Sequence, residues 1–481
     1  MLLHKSVEFD SRVRREASAL AAAGHEVTVL ELASVTVGAG TMDGFARRSV
    51  QPPTWLRRRL PFHLYRAAFL WWFVAGIART RPDVVHAHDA AMLLPGVLGA
   101  RLTGAQLVYD SHELATSVPY RERAWAAFVA GIERLTVPRC AAVITVSDGI
   151  AERLRARYRL ARTPTVVRNV SALSPNGRGG LRERLEIDAG APLVLHQGAP
   201  APARGCEVLV EALAALPGVR LAFLGDPEPG YAAGLRRLIA ERGLGERVTL
   251  LPSVALEDLL AHTAEANVGV TLLQDTCLNH RLALPNKLFE YIAAGVPVVA
   301  ADLPETRRLV AGYGVGWCVA PADSAALAGA LRVALHGPRD PRLHERLARA
   351  AEELSWKREQ VRLLELYERL ARLPSTAGPC HWPASRSEAD EHEAVGAQRR
   401  NARERPIQAP SAPGQRRREG ERTHGLELPQ PATQLSQAHQ AGVAVGGGDA
   451  RLPDRHDAAR SQHAAHLAER RSHVLARGQG R

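Results

Sequence analysis

Five short stretches place residues capable of chemistry at the ends of apolar runs. Asp83-Val-Val-His86-Ala-His88-Asp89 puts two imidazoles on one face of a strand, because side chains two residues apart point the same way. Such a pair suits either a metal or a buried structural role. A metal-dependent hydrolase needs further His and Asp ligands at later strand ends, and the second half of the sequence offers no such set. Tyr109-Asp110-Ser111-His112-Glu113 sets acids and an imidazole in the loop leaving the next run, where ligands bind. A helix cap with satisfied polar neighbours is the plainer reading there, and Ser147-Asp148 has the form of an N-cap. His196-Gln197-Gly198 leaves another apolar run, and Arg204-Gly205 opens the helix after it. An Arg beside exposed helix N–H groups can hold a diphosphate by charge and directed donors. Finally, Leu284-Pro285-Asn286-Lys287-Leu288-Phe289-Glu290-Tyr291 reads as a helix started by Pro and stopped at Gly295. Glu290, one turn beyond Asn286, could accept hydrogen bonds from sugar hydroxyls while Lys287 meets a phosphate; a solvated carboxylate is the bland alternative. The sequence G-x-x-x-x-G-K followed by Ser or Thr does not occur, and Gly38-Ala-Gly40 neither follows a strand nor opens a clear helix, which disfavours P-loop and dinucleotide binding.

Residues at strand ends need strands to carry them. Apolar runs predict a first series of buried strands at Val27–Leu30, Val84–His88, Gln106–Asp110, Ala142–Val146 and Val166–Arg168. A second series follows at Pro192–Gln197, Arg220–Gly225, Arg247–Leu250, Val268–Leu272, Val298–Ala300 and Val315–Val319. Helical periods lie between them, among others Asp148–Tyr158, Gly205–Leu216 and Pro285–Ala294. Strand then helix, repeated, implies parallel sheets covered on both faces, with ligands beyond the carboxyl ends of the strands. Ser171–Gly180 is a linker by composition. The expected domains are 1–170, 171–373 and a tail at 374–481.

Of 62 Lys plus Arg only three are Lys, and from Pro374 onward there is no Lys, Phe or Tyr. The tail holds 16 Arg against 12 acids, leaving 46 basic residues against 38 acidic in the body, so +8 of the formal charge of +12 sits there. That balance favours an anionic ligand or surface. The tail, rich in Arg, Gln, Ala, Gly and Pro without sustained period, should not pack a core. It reads as a disordered basic tail, or as an out-of-frame reading of GC-rich coding DNA. The five cysteines are scattered and never form C-x-x-C, which points to a reducing, cytoplasmic setting. His4 and Lys5 interrupt the apolar start, which argues against a signal peptide, and no apolar stretch is long enough to span a bilayer.

Taken in order, these motifs resemble the family-4 retaining glycosyltransferases of GT-B fold. The elements are Asp10-Ser-Arg12-Val-Arg14-Arg-Glu16, Gly24-His-Glu-Val27, Val84-Val-His86-Ala-His88, Tyr109-Asp-Ser-His112-Glu, Arg168-Asn169-Val, Gln197-Gly198, Arg204-Gly205, Pro285-Asn-Lys-Leu-Phe-Glu290-Tyr and Gly295-Val-Pro297. The resemblance covers roughly residues 7 to 372. It implies an α/β protein with two doubly wound Rossmann-like domains facing a central cleft, plus the disordered tail. It also implies sugar transfer from a nucleotide-diphosphate donor, with retained anomeric configuration and without a metal or other cofactor. By position Glu290 matches the donor-ribose acid, Arg204 the diphosphate cation and His112 the histidine beside the donor sugar. The expected catalytic pair is His112 and Glu290; the donor set is Gly198, Arg204, Gly225, Asn286, Lys287 and Glu290.

Three departures stand out. Leu282 occupies the position, eight before Glu290, where relatives often carry an acid, and Ala199 stands where many have Arg. The first strand is reduced to Met1–Leu3, which suggests a start codon further upstream. The acceptor is expected to be a glycan or a lipid-linked molecule. The basic and aromatic stretch Trp55–Leu60 and Phe62–Phe73 either rests on an anionic membrane, giving a peripheral place at its inner face, or is an ordinary helix against the sheet. Nucleic acid is disfavoured, since the Arg lack interleaved aromatics. Competing readings are a nucleotide-sugar epimerase of the same fold and a catalytically impaired sugar-nucleotide binder.

Overall fold

Apolar runs in which every residue is buried require cover on both faces of a sheet, and the second half of the chain shows how this is met. The computed structural model describes residues 1–32, 40–50, 59, 62–117, 123–171, 177–338 and 340–372. The tail from residue 374 and most of Trp55–Leu60 lie outside the described residues. The first sheet contains β1 (Leu2–Leu3), β2 (Thr28–Glu31), β3 (Gly40–Met42), β4 (Phe45–Ser49), β5 (Val84–His88), β6 (Gln106–Ser111), β7 (Ala142–Thr145) and β8 (Thr165–Val166). Its order is β3-β4-β2-β1-β5-β6-β7-β8. The second contains β9 (Leu193–Gln197), β10 (Arg220–Leu224), β11 (Val248–Leu251), β12 (Val268–Thr271), β13 (Val298–Ala301) and β14 (Gly316–Val319), in the order β11-β10-β9-β12-β13-β14. Every pairing is parallel except β3 with β4. Val194, Leu221 and Phe223 enter one core cluster, while Leu193, Leu195, Ala222 and Leu224 enter another, so alternate residues of β9 and β10 fill both faces.

The reduced first strand nevertheless takes the central place. Leu2 pairs with Leu30 on one side and with Ala87 on the other, and Leu30 N donates to Met1 O at 2.9 Å. Among the elements that went unpredicted, two stand out. The β3–β4 hairpin turns on Asp43 and Gly44, both at positive φ (47° and 85°), the type I′ geometry that Asp-Gly favours. The helix Pro304–Tyr313 supplies the crossover that the parallel pairing of β13 and β14 requires.

The helix Trp356–Arg372 belongs to the first sheet, although it follows the second in the chain. Leu363, Leu366 and Leu370, at helical spacing, pack with Leu20, Val108, Ile144 and Val167. Each buried leucine is worth about 1.5–3 kcal/mol. Its Tyr367 Oη meets His86 Nδ1 at 2.9 Å, and Gln106 Nε2 donates to Leu370 O at 3.0 Å. In the helix Phe62–Thr80, Phe73 and Ile77 join the core while Trp71 is exposed. Among the described residues no helix is long and apolar enough to cross a membrane.

Candidate functional site

The carboxyl ends of β5 and β6 build a buried charge cluster. The helix Ser11–Ala22 starts under an Asp10 cap, whose side chain accepts from Val13 N, and this start aims Arg12 at the sheet. Arg12 grips Asp110 with both arms, Nε to Oδ2 and Nη2 to Oδ1 at 2.9 Å each, and its Nη1 donates to Val167 O at 2.7 Å. Bidentate geometry of this kind is among the stronger polar contacts in proteins. Asp110 Oδ2 also faces His112 Nε2 at 3.1 Å and His88 Nδ1 at 3.3 Å. The other ring nitrogen of His112 lies 3.4 Å from Asp89 Oδ2. Burial works against ionised Asp110, but Arg12 and His112 overcome it and hold the carboxyl well below its usual range. Burial likewise works against charged His112, yet Asp110 and Asp89 push it up to about 9. At neutral pH it is an imidazolium. Glu16, 3.1 Å from Arg12, is pushed up to about 8 by burial.

The pair His86 and His88 therefore faces inward. Both are fully buried, their rings stack with centroids 4.2 Å apart, and they form with Glu16 and Asp110 a group whose potential ligand atoms lie within 4.8 Å of one another. In that group Asp110 already has both oxygens on Arg12.

The second sheet ends differently. Gly198 follows β9 and Gly225 follows β10, both at positive φ (86° and 151°); a Cβ on Gly225 would lie 2.5 Å from the carbonyl carbon of Gly198. Only glycine lets these two strand ends touch. Arg204 and Gly205 precede the helix Cys206–Ala214, and Arg204 is exposed. The helix Asn286–Ala293 brings Lys287 inward, with Nζ 3.3 Å from His196 Nε2. Burial pushes the Lys287 ammonium down to about 7, and the charge of Arg204 adds to the effect. Among the described residues no carboxylate forms an ion pair with either cation. Glu290, one turn on from Lys287, is raised by burial and receives a short hydrogen bond from Gln197 Nε2.

Between the sheets lies a cleft of about 790 Å³, and His112, Gly198, Arg204, Gly225, Asn286, Lys287 and Glu290 all line it. Asp226, Asn279 and His280 line it as well and were not anticipated. Asp226 could have been found by the strand-end rule that picked Gly225. Asn279 and His280 lie on the short helix Leu278–Leu282, which has too few turns to show a period. That helix fastens the two halves together. Asn279 Oδ1 accepts from Leu114 N at 2.8 Å, Ser147 Oγ donates to Leu282 O at 2.7 Å, and Leu278 and Leu282 pack against the apolar cluster of the first half. An acid in place of Leu282 would be driven into that cluster, which accounts for the apolar residue.

The family model described as Glycosyltransferase Family 4 matches residues 11–170, and the one described as Glycosyl transferases group 1 matches residues 178–354. A D-inositol 3-phosphate glycosyltransferase from Jonesia denitrificans is 26% identical over 342 residues, which cover 62% of this chain and 76% of that protein. Among solved structures, sucrose-phosphate synthase from Thermosynechococcus elongatus superposes with a TM-score of 0.63 at 21% identity, covering 77% of this chain and 98% of the other. Anabaena HepE in complex with UDP-glucose gives 0.59 at 19% identity, covering 77% and 99%. These likenesses place the two sheets in the GT-B arrangement.

Proposed function

The chain belongs to the family-4 glycosyltransferases of GT-B fold, and on that premise we propose that it is a retaining enzyme using a nucleoside-diphosphate sugar. The observation that carries this reading is the pair Arg204 and Lys287, two cations without a carboxylate partner among the described residues, beside Glu290 in the cleft. A diphosphate supplies the missing anion. Gly198 and Gly225 let the backbone approach it closely, Asn286 stands at the start of the helix beneath it, and Glu290 accepts from the ribose hydroxyls. The donor found in one GT-B neighbour, UDP-glucose, is the first to try.

In the transfer, the bond from the sugar C1 to the diphosphate breaks and the acceptor oxygen bonds to C1 on the same face. The acceptor proton passes to the departing phosphate oxygen, so no protein base is needed. His112 has both ring nitrogens turned to carboxylates, and serves as a fixed positive charge beside the donor sugar rather than as a base. Arg204 and Lys287 meet the leaving charge, so the reaction runs without a metal. The acceptor is a hydroxyl of a glycan, a lipid-linked molecule or a polyol phosphate, the last supported by the name of the Jonesia relative. The exposed Trp71 supports a peripheral place at the membrane for a lipid-linked acceptor.

The test incubates the protein with UDP-, GDP- and ADP-sugars, with and without D-inositol 3-phosphate or a polyprenyl-linked glycan, in EDTA. Acceptor-dependent release of nucleoside diphosphate, and a product of unchanged anomeric configuration by NMR, are expected. An epimerised sugar or a free glycal formed without acceptor would overturn the reading in favour of an epimerase.

A further inference from the structure

Glu290 is not held by its own helix alone. Gln197, the last residue of β9, is 3% exposed, and Thr263, on the helix Leu259–Ala264, is fully buried. Gln197 Nε2 donates to Glu290 Oε2, and Thr263 Oγ1 donates to Gln197 Oε1 at 2.6 Å. Thr263 Oγ1 also lies 2.7 Å from Leu259 O, so its single hydrogen is shared between two acceptors. The main chain of Gln197 is fixed independently. Its N–H donates to Tyr291 Oη at 2.8 Å, and that hydroxyl lies 3.0 Å from Leu195 O and 3.2 Å from Val270 O. The residue next to Glu290 thus clamps the backbone of the residue that holds Glu290.

The chain of donors has one direction. An ionised carboxylate only accepts, so Gln197 must present its NH₂ to Glu290 and its carbonyl oxygen to Thr263. Thr263 Oγ1 then donates to Gln197 Oε1, sharing its hydrogen with the Leu259 carbonyl. We propose that Gln197 and Thr263 are positioning residues that fix the Glu290 carboxylate toward the ribose diol of a bound nucleoside diphosphate. The proposal rests on the reading of Glu290 as the ribose acceptor. With one oxygen tied to Gln197, Oε1 is left for the ribose. Lys287 on the same helix and Arg15 on the helix Ser11–Ala22 also bear on Glu290 electrostatically, and both favour its ionised form. Neither sets its orientation, because among the described residues neither is hydrogen-bonded to it; only the amide of Gln197 is.

The test measures Kd for UDP and GDP, and for their 2′,3′-dideoxy counterparts, by calorimetry. The wild-type chain is expected to prefer the ribonucleotide by about tenfold or more, the scale of hydrogen bonds to a buried charged group. Thr263→Val should cut that preference by about threefold and Gln197→Met should remove most of it, while dideoxy binding stays unchanged. Thr263→Ser should restore it. A merely structural role would weaken both ligands equally in the Val and Met variants, and would overturn the proposal; so would an unchanged preference in both. If Gln197→Met does not fold, the Thr263→Val and Thr263→Ser pair decides alone. Glu290→Ala separates the two levels. If it abolishes the preference but the Gln197 and Thr263 variants do not, only positioning fails. Should Glu290→Ala leave the preference intact, Glu290 is not the ribose acceptor and both readings fall.

Discussion

The two sheets treat charge at their carboxyl ends in opposite ways. At the first, Arg12, Asp110, His112 and Asp89 satisfy one another, and each buried charge faces an opposite one. At the second, Arg204 and Lys287 stand close enough to repel, and Lys287 Nζ lies against the neutral imidazole of His196. A closed set of charges contributes to shape; an open set waits for something from outside. The contrast separates a framework from a binding site more sharply than the identity of any one residue.

The largest effect should follow from breaking the closed set. Arg12→Met leaves Asp110 buried without its bidentate partner, and is expected to cost about 3–5 kcal/mol in urea unfolding. A loss under about 1 kcal/mol would mean that His112 readily compensates, and the contrast would weaken. Opening charges further should act on binding instead. Lys287→Met and Arg204→Gln are each expected to weaken nucleoside-diphosphate binding by about 10- to 100-fold, from the loss of a charged hydrogen bond. Their Tm should stay level or rise, since one of two neighbouring cations is gone. A fall in Tm as large as that of Arg12→Met would erase the distinction.

The smallest effect is a difference in slope. Lys287, lowered from 10.5 to about 7, binds fewer protons folded than unfolded, so its share of stability rises with pH between those values. His112, raised from 6.5 to about 9, does the reverse: its stabilisation is complete below 6.5 and is lost as pH rises through about 9. The two halves therefore oppose one another between pH 7 and 9. Lys287→Met should make Tm fall more steeply over that window, and His112→Gln should make it fall less, as thermal scans at several pH values will read.

Much of the framework was legible because runs such as Leu221–Leu224 and Val298–Ala301 are buried on both faces and so are apolar throughout. The β3–β4 hairpin escaped because β4 carries Arg47, Arg48 and Ser49, which hide a strand behind charge; its Asp43-Gly44 turn was the available signal. Candidate residues were found by position, and His112, Gly198, Arg204, Gly225, Asn286, Lys287 and Glu290 line one cleft, whereas His86, His88 and Asp110 are buried in the first half. Their partners were not. Arg12 and Asp110 are 98 residues apart, and Gln197 and Glu290 are 93 apart; no local period connects them, since only the winding of the sheets brings such pairs together. Leu282 looked like a defect in the donor site until its packing against the first half gave it a place.

The helix Trp356–Arg372 has a consequence for synthesis. As the chain leaves the ribosome, the first sheet emerges long before the leucines that cover one of its faces. The second sheet, whose covering helices lie close by in sequence, can close as soon as it is out. The half that is made first is thus finished last, and during elongation Val108, Ile144 and Val167 remain without their final cover. A nascent chain arrested near residue 350 is where chaperone contact with that bare face should be greatest.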